Sequence, residues 1–146
     1  MEITEVTRRD ILEFLLSRRI HFSGRLELIP FLKKVWDLST MPSTDSRFKD
    51  AEGDIWQHMI NNYDWDSKYL LYEYLDLLQR PDNEFIKFLE TTLHPIVLSD
   101  NEIIELTLTE FNMKLSADGF VVEQTGEISG RPIYSIVRMD KKAESN

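Results

Sequence analysis

The chain has 146 residues, a formal net charge of −9 and no cysteine, which excludes disulfides, cysteine-ligated zinc, iron–sulfur clusters and a thiol nucleophile. Its acidity works against nucleic-acid binding, because an acidic surface repels phosphates. The N-terminus has no signal-peptide pattern, and no apolar run approaches the roughly 20 residues that span a bilayer, so we expect a soluble, cytoplasmic protein with no membrane contact.

The helical spacing of apolar residues predicts about six helices. Two of them begin with sequences that resemble capping boxes, Thr7–Asp10 and Ser99–Glu102. Pro30 is predicted to lie in the first turn of the second helix or just past it. In chain order, the predicted helices run from Thr7 to Arg19, Leu26 to Asp37, Arg47 to Asn61, Lys68 to Gln79, Asp82 to Leu93 and Ser99 to Leu115.

The pattern changes period after a predicted turn at residues 116–119, where Gly119 suits a left-handed conformation. Two β-rich runs, 120–124 and 133–137, flank the predicted loop 125–130. We therefore predict a mainly α fold, a compact helical bundle closed by a C-terminal two-stranded β-hairpin that resembles a winged-helix end. The chain is predicted to be a single domain, 1–146, with an ordered core of about 7–138 and a tail of 139–146.

The last helix argues against DNA reading by this hairpin. It carries Asp100, Glu102, Glu105 and Glu110 against a single Lys114, and such a charge would be repelled from a major groove. The hairpin is therefore interpreted as architectural or as a protein-contact element.

Residues 41–66 hold the densest group of functional residue types. If the stretch from Arg47 is helical, then one face is shared by Arg47, Asp50 or Ala51, Asp54, His58 and Asn61. One interpretation is a polar binding face in which Asp54 orients or charges His58 one turn later. The alternative is a solvated helix face, which residue types alone favour.

A metal-dependent hydrolase or nuclease would need Asp50, Asp54 and His58 as ligands. This mixed set matches no standard site, and His21 and His94 are distant in sequence. The chain also has no Gly-x-Ser-x-Gly nucleophile elbow and no phosphate-cradling glycine loop. We therefore predict no metal, no cofactor and no catalytic residue.

Arginines near the N-terminus support a second alternative, a nucleic-acid-binding domain. They could form a local basic patch together with the hairpin, although nucleic acid remains a disfavoured partner. These arginines are Arg8, Arg9, Arg18, Arg19 and Arg25.

Several longer motifs carry a resemblance to a known family. They are Gly24-Arg-Leu26, Trp36-Asp-Leu38, Met41-Pro-Ser-Thr-Asp-Ser-Arg-Phe48, Gly53-Asp-Ile-Trp-Gln-His58, Asn61-Asn-Tyr-Asp-Trp65, Leu93-His-Pro95 and Ser129-Gly-Arg-Pro-Ile-Tyr134. From about Arg8 to Val137, the chain resembles the third variety of the AbiJ N-terminal domain, a module of bacterial abortive-infection (antiphage) proteins.

The resemblance implies a non-enzymatic sensor or interaction domain that detects a phage-derived trigger and controls a linked or partner effector, often a HEPN-type ribonuclease. The arginine and histidine signature of that ribonuclease is absent from this chain. The resemblance transfers no catalytic residue, but it favours more than a solvated-surface role for residues 41–66 and 129–134. The hairpin is a candidate partner of residues 41–66, which a contact of Arg131 with Asp54 and His58 would support. The candidate binding residues are Arg25, Arg47, Asp54, His58, Arg131 and Tyr134.

Overall fold

A computed structural model describes residues 1–18, 22–44, 46–61, 64–65 and 68–139. The predictions for Arg19, His21 and the tail beyond Met139 lie outside these residues. The described part contains six α-helices and an antiparallel two-stranded hairpin, which confirms the predicted fold class. The elements are α1 (Glu5–Ser17), α2 (Leu28–Val35), α3 (Ala51–Ile55), a π-helical segment (Trp56–Asn61), α4 (Lys68–Tyr74), α5 (Asp82–Leu93), α6 (Asn101–Leu115), β1 (Phe120–Ile128) and β2 (Arg131–Arg138).

Both predicted capping boxes were misplaced. Helix α1 is capped by Thr4, whose hydroxyl oxygen accepts a 3.3 Å hydrogen bond from the amide of Thr7, so Thr7 lies inside the helix and is buried. Helix α6 is capped by Asp100 rather than Ser99, because the Asp100 carboxylate accepts from the amides of two first-turn residues. In each case, another residue with a suitable acceptor lies next to the first helical turn.

Two predicted helices are shorter in the structure than their apolar spacing suggested. Helix α2 begins at Leu28, with Pro30 in its first turn as predicted, and ends at Val35 instead of Asp37. Helix α4 ends at Tyr74 instead of Gln79, and Asp76 adopts a left-handed backbone with φ of 56°. A left-handed residue cannot continue a right-handed helix, so the chain turns there.

The hairpin is longer than predicted, and its loop is shorter. The strands pair up to Ile128 and Arg131, so the connection is Ser129-Gly130 instead of the predicted six-residue loop. Both turn residues have positive φ, 51° and 74°, as a type I′ turn requires. Gly119, with φ of 84°, adopts the predicted left-handed conformation before β1.

Side chains from two helices bind the outer edges of the hairpin near its base. The amide of Val122 in β1 donates to the Asn112 side-chain oxygen of α6 at 2.7 Å. The amide of Ile136, the cross-strand partner of Val122, donates to the Glu90 carboxylate of α5 at 2.8 Å. These bonds fix β1 on α6 and β2 on α5.

The buried apolar side chains form a cluster that reaches from Ile3 to Ile136. Aromatic rings lie at its centre, with Phe22 and Phe88 5.3 Å apart and Phe31 in edge contact with both. Among the described helices, none is long and apolar enough to cross a membrane.

Candidate functional site

The candidate residues of the segment 41–66 do not all lie on one helix. Helix α3 begins only at Ala51, because the Asp50 carboxylate caps it by accepting from the amide of Gly53 at 3.1 Å. Arg47 therefore precedes the helix, with its guanidinium 5.3 Å from the ring centre of Phe48. The predicted helix start at Arg47 and the shared face with Asp50 were wrong, since Asp50 ends the non-helical segment instead.

Asp54 is the buried centre of this region, with no exposed side-chain surface. One carboxylate oxygen accepts from the amide and the hydroxyl of Thr44, at 2.9 and 2.7 Å. Burial alone would raise the pKa of Asp54. The hydrogen bonds from Thr44 and Tyr74 and the attraction of His58 outweigh that effect and hold the pKa below its ordinary value of 3.8.

His58 lies one turn after Asp54, as the spacing predicted, and its Nε2 is 3.3 Å from the second Asp54 oxygen. Its Nδ1 is 2.6 Å from the carboxylate of Asp64. The imidazole is stacked on Trp65, with ring centres 4.9 Å apart, and Trp65 in turn contacts Tyr74. Both ring nitrogens of His58 thus face carboxylates.

The π-helical segment Trp56–Asn61 positions His58 in this cluster. A π segment inserts an extra residue into the helical turn, and such segments occur frequently at functional sites. Here it places His58 between Asp54 and Asp64 while Trp56 is 46% exposed. Asn61 was predicted to share the face of Asp54 and His58. Its side-chain nitrogen donates to the side-chain oxygen of Gln57 at 3.2 Å.

Sequence reasoning missed Asp64 and Trp65 as partners of His58. Both follow the helix break, so helical spacing could not bring them into contact, and residues 62, 63, 66 and 67 lie outside the described part. The Asn-Tyr-Asp-Trp motif was the available signal. We call Asp54, His58, Asp64, Trp65 and Tyr74 the histidine cluster.

Chemically, the histidine cluster is an imidazole held between two carboxylates. Nδ1 has the Asp64 carboxylate at hydrogen-bond distance. Nε2 lies 3.3 Å from an Asp54 oxygen that accepts no hydrogen bond from the described residues, and the His58 side chain is 18% exposed. Asp50 caps α3 and so serves a different purpose from Asp54. In the part of the chain that the structure describes, no group of histidine, aspartate and glutamate residues is arranged to hold a metal ion.

The other three candidates lie around the connection between α5 and α6. The Arg25 guanidinium donates to the carbonyl of Pro95 at 2.6 Å. Arg131 and Tyr134 line a cleft of about 140 Å³ together with Pro95 and Glu105. Burial and the charge of Glu105 raise the pKa of Tyr134.

Arg131 is not among the described contact partners of Asp54 and His58. Arg131 lines its cleft with residues of the α5–α6 connection, of α6 and of β2. The described neighbours of Asp54 and His58 are Thr44, Asp64, Trp65 and Tyr74. The candidates therefore form two groups that share no described contact partner.

The proposed N-terminal basic patch loses its first member, Arg8. Its guanidinium is fully buried and donates to the carbonyls of Leu77 and Arg80 at 2.8 and 2.6 Å, and to Asp82 at 2.8 Å. On the hairpin, Arg138 pairs with Glu2. Arg18 is exposed. Sequence reasoning counted Arg8 as a surface charge because nothing local distinguishes it from Arg9.

Comparison with known proteins gives one family. A family model described as AbiJ N-terminal domain 3 matches residues 2–136, nearly the whole chain. No curated protein matches, and neither does any solved structure.

Proposed function

Because this chain belongs to the AbiJ N-terminal domain 3 family, we propose that it is the recognition module of an abortive-infection system and controls an effector without catalysing a reaction itself. Family membership associates the chain with antiphage defence. The effector is a linked domain or a partner protein, with a ribonuclease as the first candidate. The trigger is a phage-derived component met in the cytoplasm.

The observation that carries this proposal is the position of His58, whose two ring nitrogens face carboxylates. Histidine is the most common general base, and it needs one ring nitrogen within reach of the proton it takes. Here Nδ1 faces Asp64 at 2.6 Å and Nε2 faces Asp54 at 3.3 Å. An imidazole whose ring nitrogens both face carboxylates and whose ring is stacked on Trp65 suits the support of a surface better than it suits proton transfer.

The π-helical segment that contains His58 also exposes apolar side chains. Trp56 and Ile60 lie four residues apart on the π-helical segment and are 46% and 39% exposed. Tryptophan is enriched among the residues that dominate the energy of protein interfaces. We propose that Trp56 is the principal contact of the domain with its protein partner or effector.

The test is phage resistance of cells that express the complete protein as its genome encodes it. We expect Trp56→Ala to lower protection by about tenfold or more, the effect of losing about 1.4 kcal/mol or more of contact energy. Efficiency of plating measures the protection. The matched control is Met113→Ala, which removes a side chain of α6 that is 65% exposed and should leave protection unchanged.

Thermal unfolding of both variants shows whether the exposed positions affect folding. Full protection by a folded Trp56→Ala protein would exclude Trp56 as the principal contact. The proposed absence of catalysis is tested separately, by incubating the purified chain with RNA. Cleavage that a folded His58→Gln variant lacks would replace the proposal with an enzymatic one.

A further inference from the structure

A groove of about 420 Å³ lies between α5 and β2, away from the histidine cluster. Lys34, near the end of α2, and Lys87, in α5, line this groove. His94, the C-cap residue of α5, lines it as well. Tyr134 and Ser135 line the groove from β2. A volume of this size suits a small organic ligand, since ligand sites typically measure about 300–1,000 Å³.

The two lysines of this groove are available for a ligand. Both are exposed, and neither ammonium forms a salt bridge with a residue in the described ranges. By contrast, Lys33 pairs with Glu52, and Lys114 pairs with Glu110. In a chain with a net charge of −9, two neighbouring unpaired cations are a local concentration of positive charge.

Glu90 is the acidic residue of the groove, and its carboxylate is already engaged. One oxygen accepts the 2.8 Å hydrogen bond from the amide of Ile136. Burial raises the pKa of Glu90, although that hydrogen bond partly opposes the effect.

Tyr134 adds a flat, half-buried surface next to the two lysines. It lines this groove and also the 140 Å³ cleft that contains Arg131. A tyrosine ring in such a position can pack against the apolar or aromatic body of a ligand. The groove therefore offers cations for an anionic group and a ring for the body attached to it.

We propose that this groove binds a small phosphorylated molecule, with Lys34 and Lys87 contacting the phosphate and Tyr134 packing against the rest of the ligand. Phosphate fits this arrangement because lysine ammonium groups bind it as point charges. The site is separate from Trp56. Its occupancy can therefore be measured on the isolated chain, and the outcome is independent of the proposed interaction role.

The experiment is isothermal titration of the 146-residue chain with AMP, ribose 5-phosphate and inorganic phosphate. We expect AMP to bind most tightly and binding to weaken between about 0.02 M and about 0.15 M salt, since salt screens exposed charges. The variant is Lys34→Gln combined with Lys87→Gln. It should weaken AMP binding by about tenfold or more, because both charge-assisted contacts to the phosphate are lost.

A matched control removes the same charge outside the groove. The combination of Arg18→Gln and Lys49→Gln, two exposed cations that do not line the groove, should change AMP affinity by less than about threefold, because salt screens distant charges. Tyr134→Leu should weaken AMP more than it weakens ribose 5-phosphate, because only AMP carries a base. Thermal unfolding confirms that each variant is folded.

Three results would overturn the proposal. One is no heat of binding with any of the three probes at low salt. Another is equal weakening by the groove variant and the control variant, which would mean a general charge effect. The third is binding of longer RNA with no binding of AMP, which would assign the lysines to a nucleic-acid surface instead.

Discussion

At the scale of single residues, Arg8 shows how a buried charge is stabilised in this fold. Its guanidinium donates to the carbonyls of Leu77 and Arg80 and to the Asp82 carboxylate, and it lies 4.7 Å from the ring centre of Phe85. Asp82 also accepts from the backbone amides of residues 2 and 3. The pair therefore joins the N-terminal segment, α1 and the start of α5.

We expect Arg8→Ala to lower the free energy of unfolding by about 3 kcal/mol, because removing one partner of a buried pair leaves the others without a donor. Urea denaturation measures the change. Arg9→Ala is the matched control: its side chain is exposed, and we expect a change within about 0.5 kcal/mol. Equal losses in the two variants would contradict this view of Arg8.

Asp54 makes the stability of the domain depend on pH. Its pKa in the folded protein is lowered, so the folded state favours the ionised carboxylate. This contribution is fully present above the unfolded-state pKa of about 3.9 and is lost as the pH falls through the lower folded-state pKa. This contribution to stability is therefore lost only in acidic solution, below about pH 4.

We expect Asp54→Asn to be less stable than the parent protein at neutral pH by about 1–3 kcal/mol, because the amide replaces an acceptor with a donor. The difference should shrink as the pH falls below about 4 and through the lowered pKa of Asp54, because the parent then loses its ionised carboxylate. Urea midpoints across the pH range measure it. Asp10→Asn, at an exposed position of α1, is the control; a difference for Asp54→Asn that stays constant with pH would contradict the assignment.

At the scale of elements, Gly24 controls how the α1–α2 connection lies on the α5–α6 connection. Its φ is 52°, and a Cβ atom placed there would lie 2.1 Å from the carbonyl oxygen of Val97. The next amide, that of Arg25, donates to the same oxygen at 2.9 Å. The close approach of two backbones therefore requires glycine at this position.

We expect Gly24→Ala to lower the free energy of unfolding by about 2 kcal/mol or more, since it combines a backbone clash with an unfavourable φ. The melting temperature by circular dichroism checks it. Gly126→Ala is the control, because a Cβ atom there meets nothing within 4 Å. A Gly24→Ala protein as stable as the Gly126→Ala protein would show that the two connections can move apart.

The elements also show what could be predicted from the sequence. Apolar spacing placed all six helices and the hairpin, because burial of one face is a local pattern. The ends of the elements were less predictable. Thr4 and Asp100 cap their helices, but nearby residues with similar side chains could have done the same. Strand pairing extends β1 to Ile128, across a stretch that contains residues typical of turns.

For the candidate site, the sequence predicted the contact of Asp54 with His58 because both lie on one helical segment. It could not predict Asp64, whose contact with His58 depends on the path of the chain after the helix. It could not separate buried Arg8 from exposed Arg9 either, since the partners of Arg8 are about 70 residues away in sequence. Contacts of this kind depend on tertiary structure.

At the scale of the whole molecule, the two surfaces proposed for binding lie on different parts of the fold. The apolar surface at Trp56 lies on the same π-helical segment as His58, and the lysine groove lies between α5 and β2. Arg25 and Arg131 border the α5–α6 connection near that groove. A recognition domain with separate surfaces can contact a partner and hold a ligand at the same time.

The occupied edges of the hairpin limit how copies of this protein can associate. The amide of Ile136 is bound by Glu90, and Pro132, four residues earlier on the same edge, has no N–H to offer. On the other edge, Asn112 binds the amide of Val122. An added strand would find few donors near the hairpin base, so sheet growth from copy to copy is blocked there. Copies that associated through this sheet would first have to break the hydrogen bonds of Ile136 to Glu90 and of Val122 to Asn112.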